Sequence, residues 1–187
     1  MARTSTAART AVLSLTTALA CASNASAADA PAPAAPVIAI HCGHLLDVLA
    51  GKMLGPTTVI VEGKRVREVA DGSKAAAGAT EIDLSSQTCL PGLIDSHMHL
   101  SSESSPTQYV DEFHWNLSDH VVRATIYARR TLLAGFTTVR NLGDQQNETV
   151  ALRNAINGGL IAGPRIFTAG VPIGSTGGHA DPTDGYR

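Results

Sequence analysis

The feature that most constrains the fold of this chain is a change in its hydrophobic pattern at Pro91. Over residues 37–90, short runs rich in β-branched residues are separated by glycines, and no helical period fits. Over residues 91–187, strand-like runs alternate with helical segments, which is typical of βα units and a parallel sheet. The sequence therefore predicts an α/β chain in which a small antiparallel sheet is followed by the start of a parallel sheet.

The individual elements follow from residue type and from turn and cap signals. Strands are predicted over residues 37–42, 57–62, 65–69, 81–90, 92–99, 136–140 and 165–169. One helix is expected to be capped by Ser118 and to end at Gly135, and a second to cover residues 149–156. The apolar face expected for the first helix consists of Val121, Val122, Ala124, Ala128, Leu132 and Leu133.

Residues 1–27 have the pattern of an export signal. A positively charged start precedes an apolar run at residues 11–20, and Ala25-Ser26-Ala27 is a small-residue cleavage site. The run is shorter than the about 20 apolar residues of a membrane span. We therefore predict cleavage after Ala27, a periplasmic or secreted mature protein, and no stable membrane span in it.

N-terminal sequencing tests this prediction, because the exported protein is expected to begin at Ala28. An intact Met1 terminus recovered from the cytoplasm would contradict the signal. Lipid attached to Cys21 would favour a lipoprotein, which the residues before that cysteine resemble poorly. Residues 28–36 are rich in alanine and proline and are predicted to be an extended linker.

Export would leave two cysteines, Cys42 and Cys89, in an oxidising compartment. The sequence allows either a disulfide or two buried apolar thiols.

The charge of the chain argues against binding to nucleic acid. The net charge is -2, and the lysines and arginines form no basic run that would attract phosphates.

The residues that carry chemistry lie in the predicted strand after Pro91. Side chains two apart on a strand project to the same face, so His97 and His99 can present two imidazoles to one ion while Met98 points away. Neutral imidazole is a common zinc ligand, which makes the pair a candidate metal site. The spacing alone also fits histidines that are solvated or packed in a core.

Residues 90–100, with the segment Pro-Gly-Leu-Ile-Asp-Ser-His-Met-His, resemble the metal-dependent amidohydrolase superfamily. In that superfamily the corresponding segment forms the first barrel strand and supplies the first two metal ligands. Supporting similarities lie at residues 43–47, 135–140 and 163–166, so that the resemblance covers nearly all of residues 37–187. The chain resembles exported dipeptidases of the Xaa-Pro and Xaa-Arg type and imidazolonepropionase-like members.

The resemblance implies that residues 37–90 are part of a small β-sandwich and that residues 91–187 begin a (β/α)8 TIM-type barrel. Such a barrel has eight strands and about 250 residues, so about the first three strands are expected here, in an N-terminal fragment. Later strands of the family commonly supply a carboxylated lysine, two histidines and a catalytic aspartate. No catalytic residue is therefore expected within these residues, and the fragment alone is expected to be inactive.

The activity implied by the resemblance is metal-dependent hydrolysis of C–N amide bonds, dipeptidase-like, with one or two divalent ions and zinc as the expected metal. The substrate expected is a dipeptide or another small molecule. His179 lies in a Gly-Gly-His segment that resembles a loop of exported dipeptidases, in which the histidine helps to hold the substrate carboxylate. A mobile glycine-rich loop with an incidental histidine is the alternative.

Three further residues near the predicted strand ends are not expected to act in catalysis. Asp95 is expected to point toward the barrel interior, where a supporting role and a direct role are equally open. Arg140 is expected to form a structural ion pair, with binding of a substrate anion as its alternative. Asn141 stands where many relatives have aspartate, which argues against a role based on charge. The histidines without ligand spacing are interpreted as surface or core residues, namely His41, His44, His114 and His120.

Two other functions stay open at this stage. A shortened chain can serve as a binding module that uses the β domain and an exposed barrel edge without chemistry. A deaminase or a cyclic-amide hydrolase of the same superfamily is the other alternative. The sequence carries no prediction of an oligomeric state.

Overall fold

The computed structural model of the chain describes residues 35–181 and, within them, every side chain except that of Glu112. The predicted export signal, Cys21 and most of the predicted linker lie outside the described residues. Within the described range, no helix combines the length and the apolar character needed to cross a bilayer.

Strands and helices of the described chain follow one another in the order β1 (Val37–Asp47), β2 (Lys52–Leu54), β3 (Thr57–Glu62), β4 (Arg65–Asp71), β5 (Thr80–Cys89), β6 (Leu93–Met98), α1 (Gln108–His114), α2 (Leu117–Leu133), β7 (Phe136–Asn141), α3 (Glu148–Asn157) and β8 (Arg165–Thr168). This order confirms the α/β class. The predictions missed the short strand β2 and the seven-residue helix α1.

The first five strands form one sheet with the order β2-β1-β3-β4, and β5 pairs with β1. The antiparallel pairing predicted for the runs over residues 37–69 is confirmed, since β1 pairs with β3 and β3 with β4 in this way. β5, for which the sequence indicated only a strand, is parallel to β1, so the sheet is mixed. β1 also continues past the predicted end at residue 42. Its pairing with β5 shifts register between Cys42 and His44 and then resumes, and residues 45–47 pair with β2. A side chain at Gly43 would collide with the backbone carbonyl of Ser85 on β5, which explains the glycine there.

A disulfide joins Cys42 of β1 to Cys89 of β5. Their Cα atoms are 5.8 Å apart, within the usual range for a disulfide. Of the two possibilities left open by the sequence, the structure therefore has the bridge, and it links the two parallel strands of the first sheet.

The second sheet consists of three parallel strands in the order β6-β7-β8. The crossover from β6 to β7 contains α1 and α2, and the crossover from β7 to β8 contains α3. A buried core lies between these helices and the sheet and consists of Leu100, Ala124, Ala128, Val139, Leu152 and Ile166. Because all three strands run in one direction, their carboxyl ends lie at one edge of the sheet, where side chains of different βα units can converge.

Helix α2 differs from its prediction at the N-cap and on its apolar face. Asn116 is the N-cap in place of Ser118, since its side chain accepts the N–H groups of Ser118 and Asp119 and Asp119 bonds back to the Asn116 N–H. Val122 and Leu133 are 63% and 69% exposed. Val122 and Leu133 each come one position after a residue that faces inward. One position is a rotation of about 100° around the helix axis, which turns these two side chains toward solvent.

Candidate functional site

A cleft of about 380 Å³ lies beyond the carboxyl ends of β6, β7 and β8. It collects residues from the segments that follow all three strands. The lining residues are His97, His99, Ser101, Ser102, His120, Leu142, Gly143, Asp144, Gln145, Glu148, Pro172, His179, Ala180 and Asp181.

His97 and His99 both face this cleft, whereas Met98 packs against the buried core. The alternation along β6 thus separates the two histidines from the residue between them. Their ring centroids are 5.8 Å apart. Asp95 accepts a hydrogen bond from the backbone N–H of His97 at 2.9 Å, so its carboxylate holds the strand rather than lining the cleft.

The ring of His99 has a defined orientation. Its Nδ1 lies 3.0 Å from the carbonyl oxygen of Gly143. A carbonyl can only accept a hydrogen bond, so Nδ1 carries the proton and the lone pair of the neutral ring is on Nε2. Histidines that bind metals are commonly held in this way by a backbone carbonyl.

The donor set of the cleft therefore suits a divalent metal in part. Nitrogen donors at neighbouring positions of one strand are appropriate ligands for zinc. Among residues 35–181, however, no group of three or more His, Cys, Asp or Glu side chains is arranged to hold one ion. Within the described part of the chain, His97 and His99 therefore do not by themselves form a complete metal site.

His179 lies in a turn after β8 and lines the same cleft as His97 and His99. The buried carboxylate of Asp181 shapes this turn by accepting the Gly177 N–H at 2.7 Å. The Asp181 N–H donates in turn to the Gly178 carbonyl at 3.0 Å. These hydrogen bonds make the segment a turn rather than an irregular glycine-rich loop.

Two residues behave differently from their predictions. Arg140 donates from Nε to the backbone carbonyl of Ser96 at 2.6 Å, a contact that stands in place of the predicted ion pair. His120, interpreted from sequence as a surface or core residue, lines the cleft, with its Nδ1 3.4 Å from the Ser101 carbonyl. The helical position of His120 gives no sequence signal for this, because the cleft forms only when the N-terminal end of α2 lies against the segment after β6.

Sequence reasoning also missed a buried pair of carboxyl groups, Asp144 and Glu148, which are 6% and 4% exposed. Oδ2 of Asp144 accepts hydrogen bonds from the N–H and the hydroxyl of Thr149. Oε2 of Glu148 accepts the Gln146 N–H at 2.8 Å. Oδ1 of Asp144 is buried and finds no donor among the described residues.

The two carboxyl groups have opposite pKa shifts. Burial, followed by the hydrogen bond and the charge of Asp144, raises the pKa of Glu148. Burial also acts to raise the pKa of Asp144, but hydrogen bonds from Glu148 and Thr149 outweigh it and hold that pKa below its usual value. Of the two carboxyl groups, Glu148 therefore keeps its proton to the higher pH, and a protonated Glu148 can donate a hydrogen bond to Asp144.

These pKa shifts predict that the stability of the fold depends on pH. Glu148→Gln is expected to remove the part of this dependence that comes from Glu148. The raised pKa of Glu148 contributes stability that is complete below its ordinary value of 4.5 and lost as the pH rises through the folded-state pKa. The lowered pKa of Asp144 contributes stability that is lost as the pH falls through its folded-state pKa. Glutamine keeps a donor for Asp144 without ionising, so the variant is expected to gain on the wild type as the pH rises above 4.5.

Urea unfolding at a series of pH values measures this difference in the free energy of unfolding. Glu103→Gln is the matched control, because Glu103 is exposed and pairs with Arg130 at the surface. A wild-type curve parallel to that of Glu148→Gln at all pH values would show that folding does not raise the pKa of Glu148.

Comparison with known proteins agrees with this geometry. The sequence model of the amidohydrolase family matches residues 88–185, slightly more than half of the chain. The structure is similar to that of a Xaa-Pro dipeptidase with methionine bound in its active site, with 36% identity and a TM-score of 0.71, over 81% of this chain and 37% of that one. It is also similar to a prolidase in complex with N-methylphosphonate-L-proline, with 30% identity and a TM-score of 0.66, over 76% and 34% of the two chains.

Among curated proteins, ochratoxinase from Aspergillus niger is 30% identical over 96 residues, which are 49% of this chain and 19% of the ochratoxinase. The chain thus spans about a fifth of that relative and about a third of the two solved structures.

Proposed function

The chain belongs to the amidohydrolase family, a family of enzymes, and from this premise we propose that it serves in the metal-dependent hydrolysis of C–N amide bonds in dipeptide-like substrates. One observation carries the proposal: His97 and His99 face one cleft, with the proton of His99 fixed on Nδ1 by the Gly143 carbonyl. That arrangement leaves a ring nitrogen available as a metal ligand.

His97 and His99 would hold one divalent ion in this proposal, with zinc as the expected metal. Such an ion, when bound, polarises a carbonyl oxygen and makes water more acidic. The remaining ligands and the group that moves the proton would come from later barrel strands, as the family resemblance implies. Residues 37–90 would then belong to a β-sandwich, and residues 91–187 would begin the barrel.

His179 is proposed to bind the carboxylate of the substrate. It lines the same cleft as the two proposed ligands, on a turn that Asp181 shapes. The ligand in the active site of the similar Xaa-Pro dipeptidase is methionine, and a free amino acid carries such a carboxylate. A hydrogen bond from a histidine to an ionised carboxylate contributes about 1.5–3 kcal/mol.

We also propose that the protein is exported to the periplasm or beyond the cell. The disulfide between Cys42 and Cys89 supports this location, because such bonds persist in oxidising compartments and are rare in the cytosol.

The experiment that tests the function uses protein expressed from its complete coding sequence, freed of metal and then loaded with zinc. We expect it to release free amino acids from dipeptides, including Xaa-Pro, and to require the added metal. His179→Ala is expected to raise KM by about 10- to 100-fold for a dipeptide with a free carboxylate, because a charged hydrogen bond is lost. The corresponding dipeptide amide should show little difference between the variant and the wild type.

Residues 1–187 alone are expected to release no amino acid, since only two of the proposed ligands lie among them. Hydrolysis by these residues that depends on His97 would contradict the need for ligands from later strands. Release of ammonia in place of amino acids would favour the deaminase alternative. Absence of any turnover by the zinc-loaded protein would favour the binding module.

A further inference from the structure

Asn141, the last residue of β7, is fully buried and connects the two segments that determine the position of His99. Its Oδ1 accepts the backbone N–H of Leu100 at 2.7 Å, at the residue directly after His99. Its Nδ2 donates to the Gly143 carbonyl at 3.1 Å. That carbonyl is also the acceptor for Nδ1 of His99, so one amide side chain bonds both to the acceptor that orients the ring and to the backbone directly after His99.

In this chain, the surrounding hydrogen bonds favour an amide over a carboxylate at this position. The Thr149 hydroxyl donates its proton to Asp144, so it can only accept from its other neighbours. Nδ2 of Asn141 lies 3.2 Å from the Thr149 oxygen and must be the donor. Thr168, 2.6 Å from the same oxygen, must likewise donate to it.

The amide is thereby oriented without ambiguity. Its oxygen faces a backbone N–H, and its nitrogen faces two oxygens that have no proton to give, those of Gly143 and Thr149. A carboxylate of the same shape would keep the bond to Leu100 and place its second oxygen against two acceptors. At a buried position an oxygen that faces only acceptors destabilises the fold, so the surroundings in this chain favour Asn over Asp at residue 141.

The loop that carries the Gly143 carbonyl has little freedom to compensate. A Cβ atom at Gly143 would lie 2.9 Å from the Cβ of Pro172, so the backbone approaches this proline closely. The Leu142 N–H donates to the Met98 carbonyl at 3.2 Å, and the Asp144 N–H donates to the Gly170 carbonyl at 3.0 Å. The Gly143 carbonyl and the Asp144 N–H belong to one peptide group, so a local rotation of this group would break the bond to Gly170.

We propose that Asn141 is the positioning residue of His99, which holds the imidazole in the Nδ1-protonated form with Nε2 turned to the cleft. The purpose of this orientation, which is to present Nε2 to a metal, rests on the proposed function. The orientation itself exists in the metal-free protein and can be measured there.

The first experiment measures the tautomer of His99 in the metal-free chain by nitrogen-15 NMR of the imidazoles at mildly alkaline pH, where the rings are neutral. His99→Gln assigns the signals. We expect the Nδ1-protonated form in the wild type and a shift toward the other tautomer in Asn141→Asp. A wild-type His99 protonated on Nε2 would overturn the proposal without any variant, and so would an unchanged tautomer in a folded Asn141→Asp.

Thr168→Val is the matched control, because it removes the partly buried hydrogen bond to Thr149 and the acceptor of the Gly170 N–H while leaving the side-chain bonds of Asn141 to Leu100 and Gly143 in place. It is expected to retain the wild-type tautomer of His99. Loss of the tautomer in Thr168→Val to the same extent as in Asn141→Asp would assign the effect to general loosening of the loop and overturn the proposal.

The second experiment titrates zinc sulfate into the same proteins by calorimetry. Asn141→Asp is expected to weaken zinc binding by about 10- to 100-fold, the usual loss when the hydrogen-bonding partner of a metal-binding histidine is disturbed. Equal zinc affinity of a tautomer-shifted variant and the wild type would overturn the positioning role. Wild-type protein with the expected tautomer and no zinc bound through His97 and His99 would refute the proposed function and leave the orientation of His99 by Asn141 established.

Discussion

Replacing Cys42 and Cys89 together by alanine is expected to lower the free energy of unfolding by about 4 kcal/mol. The two residues are 47 positions apart, and the disulfide restricts the unfolded chain by closing that loop. The chain-entropy relation gives about 4 kcal/mol for a loop of this length at 25 °C. Whole domains are stable by only about 5–15 kcal/mol, so the loss would remove a large share of the stability.

The effect should appear first in the pairing of β1 with β5. These strands are parallel and far apart in sequence, so their pairing must overcome a large loop-closure entropy that the disulfide reduces. Hydrogen exchange with mass spectrometry reports on their amides directly. We expect exchange in β1 and β5 to become faster by up to about a thousandfold, which corresponds to about 4 kcal/mol at 1.4 kcal/mol per tenfold change.

Chemical reduction of the wild type is the control that separates the crosslink from side-chain packing. Cys42 is buried, so alanine also removes some apolar contact there. Reduced wild type and the double-alanine variant should therefore exchange at similar rates, with the variant slightly faster. Reduced wild type as stable as the oxidised protein would show that the bridge contributes no stability.

The main features of the second sheet could be predicted from the sequence because they depend on local patterns. Strands β6, β7 and β8 lie within two residues of their predicted bounds, since each begins directly after a Gly or Pro turn signal. The alternation that turns His97 and His99 away from Met98 follows from the period of a strand. These properties need no knowledge of distant neighbours.

The parts that could not be predicted depend on contacts between distant segments. The sequence of β5 does not indicate that this strand pairs parallel to β1, because a run of strand-forming residues fits either direction of pairing. The cap of α2 was misplaced because Ser118 and Asn116 are both good N-cap residues, and only the reciprocal bond to Asp119 decides between them.

The same distinction applies to the cleft. His179 was found from a motif, whereas His120 and the Asp144–Glu148 pair were missed because their burial beside the cleft is a tertiary property. The sequence signal available for this pair was the presence of two acidic residues close to the start of α3, since acidic residues are favoured near helix N-termini. That signal indicates a cap and does not distinguish it from a residue that lines a site.

Replacing either His97 or His99 by alanine is expected to weaken the binding of zinc to the chain by at least about 100-fold, or about 2.8 kcal/mol. The loss should exceed the about 10- to 100-fold effect of disturbing a partner of a metal-binding histidine, because a ligand itself is removed. Calorimetric titration of the metal-free protein with zinc sulfate measures the affinity. His44→Ala and His114→Ala are matched controls, since both histidines are exposed and neither lines the cleft.

The double variant decides whether the two imidazoles hold the same ion. If they do, removal of one leaves a single weak donor, and removal of the second adds little to the loss. If each histidine binds its own ion, the losses are independent and the single variants each retain one site of wild-type affinity. Retention of one full-affinity site in His97→Ala, or an equal loss of affinity in His44→Ala, would therefore contradict a shared metal site at the end of β6.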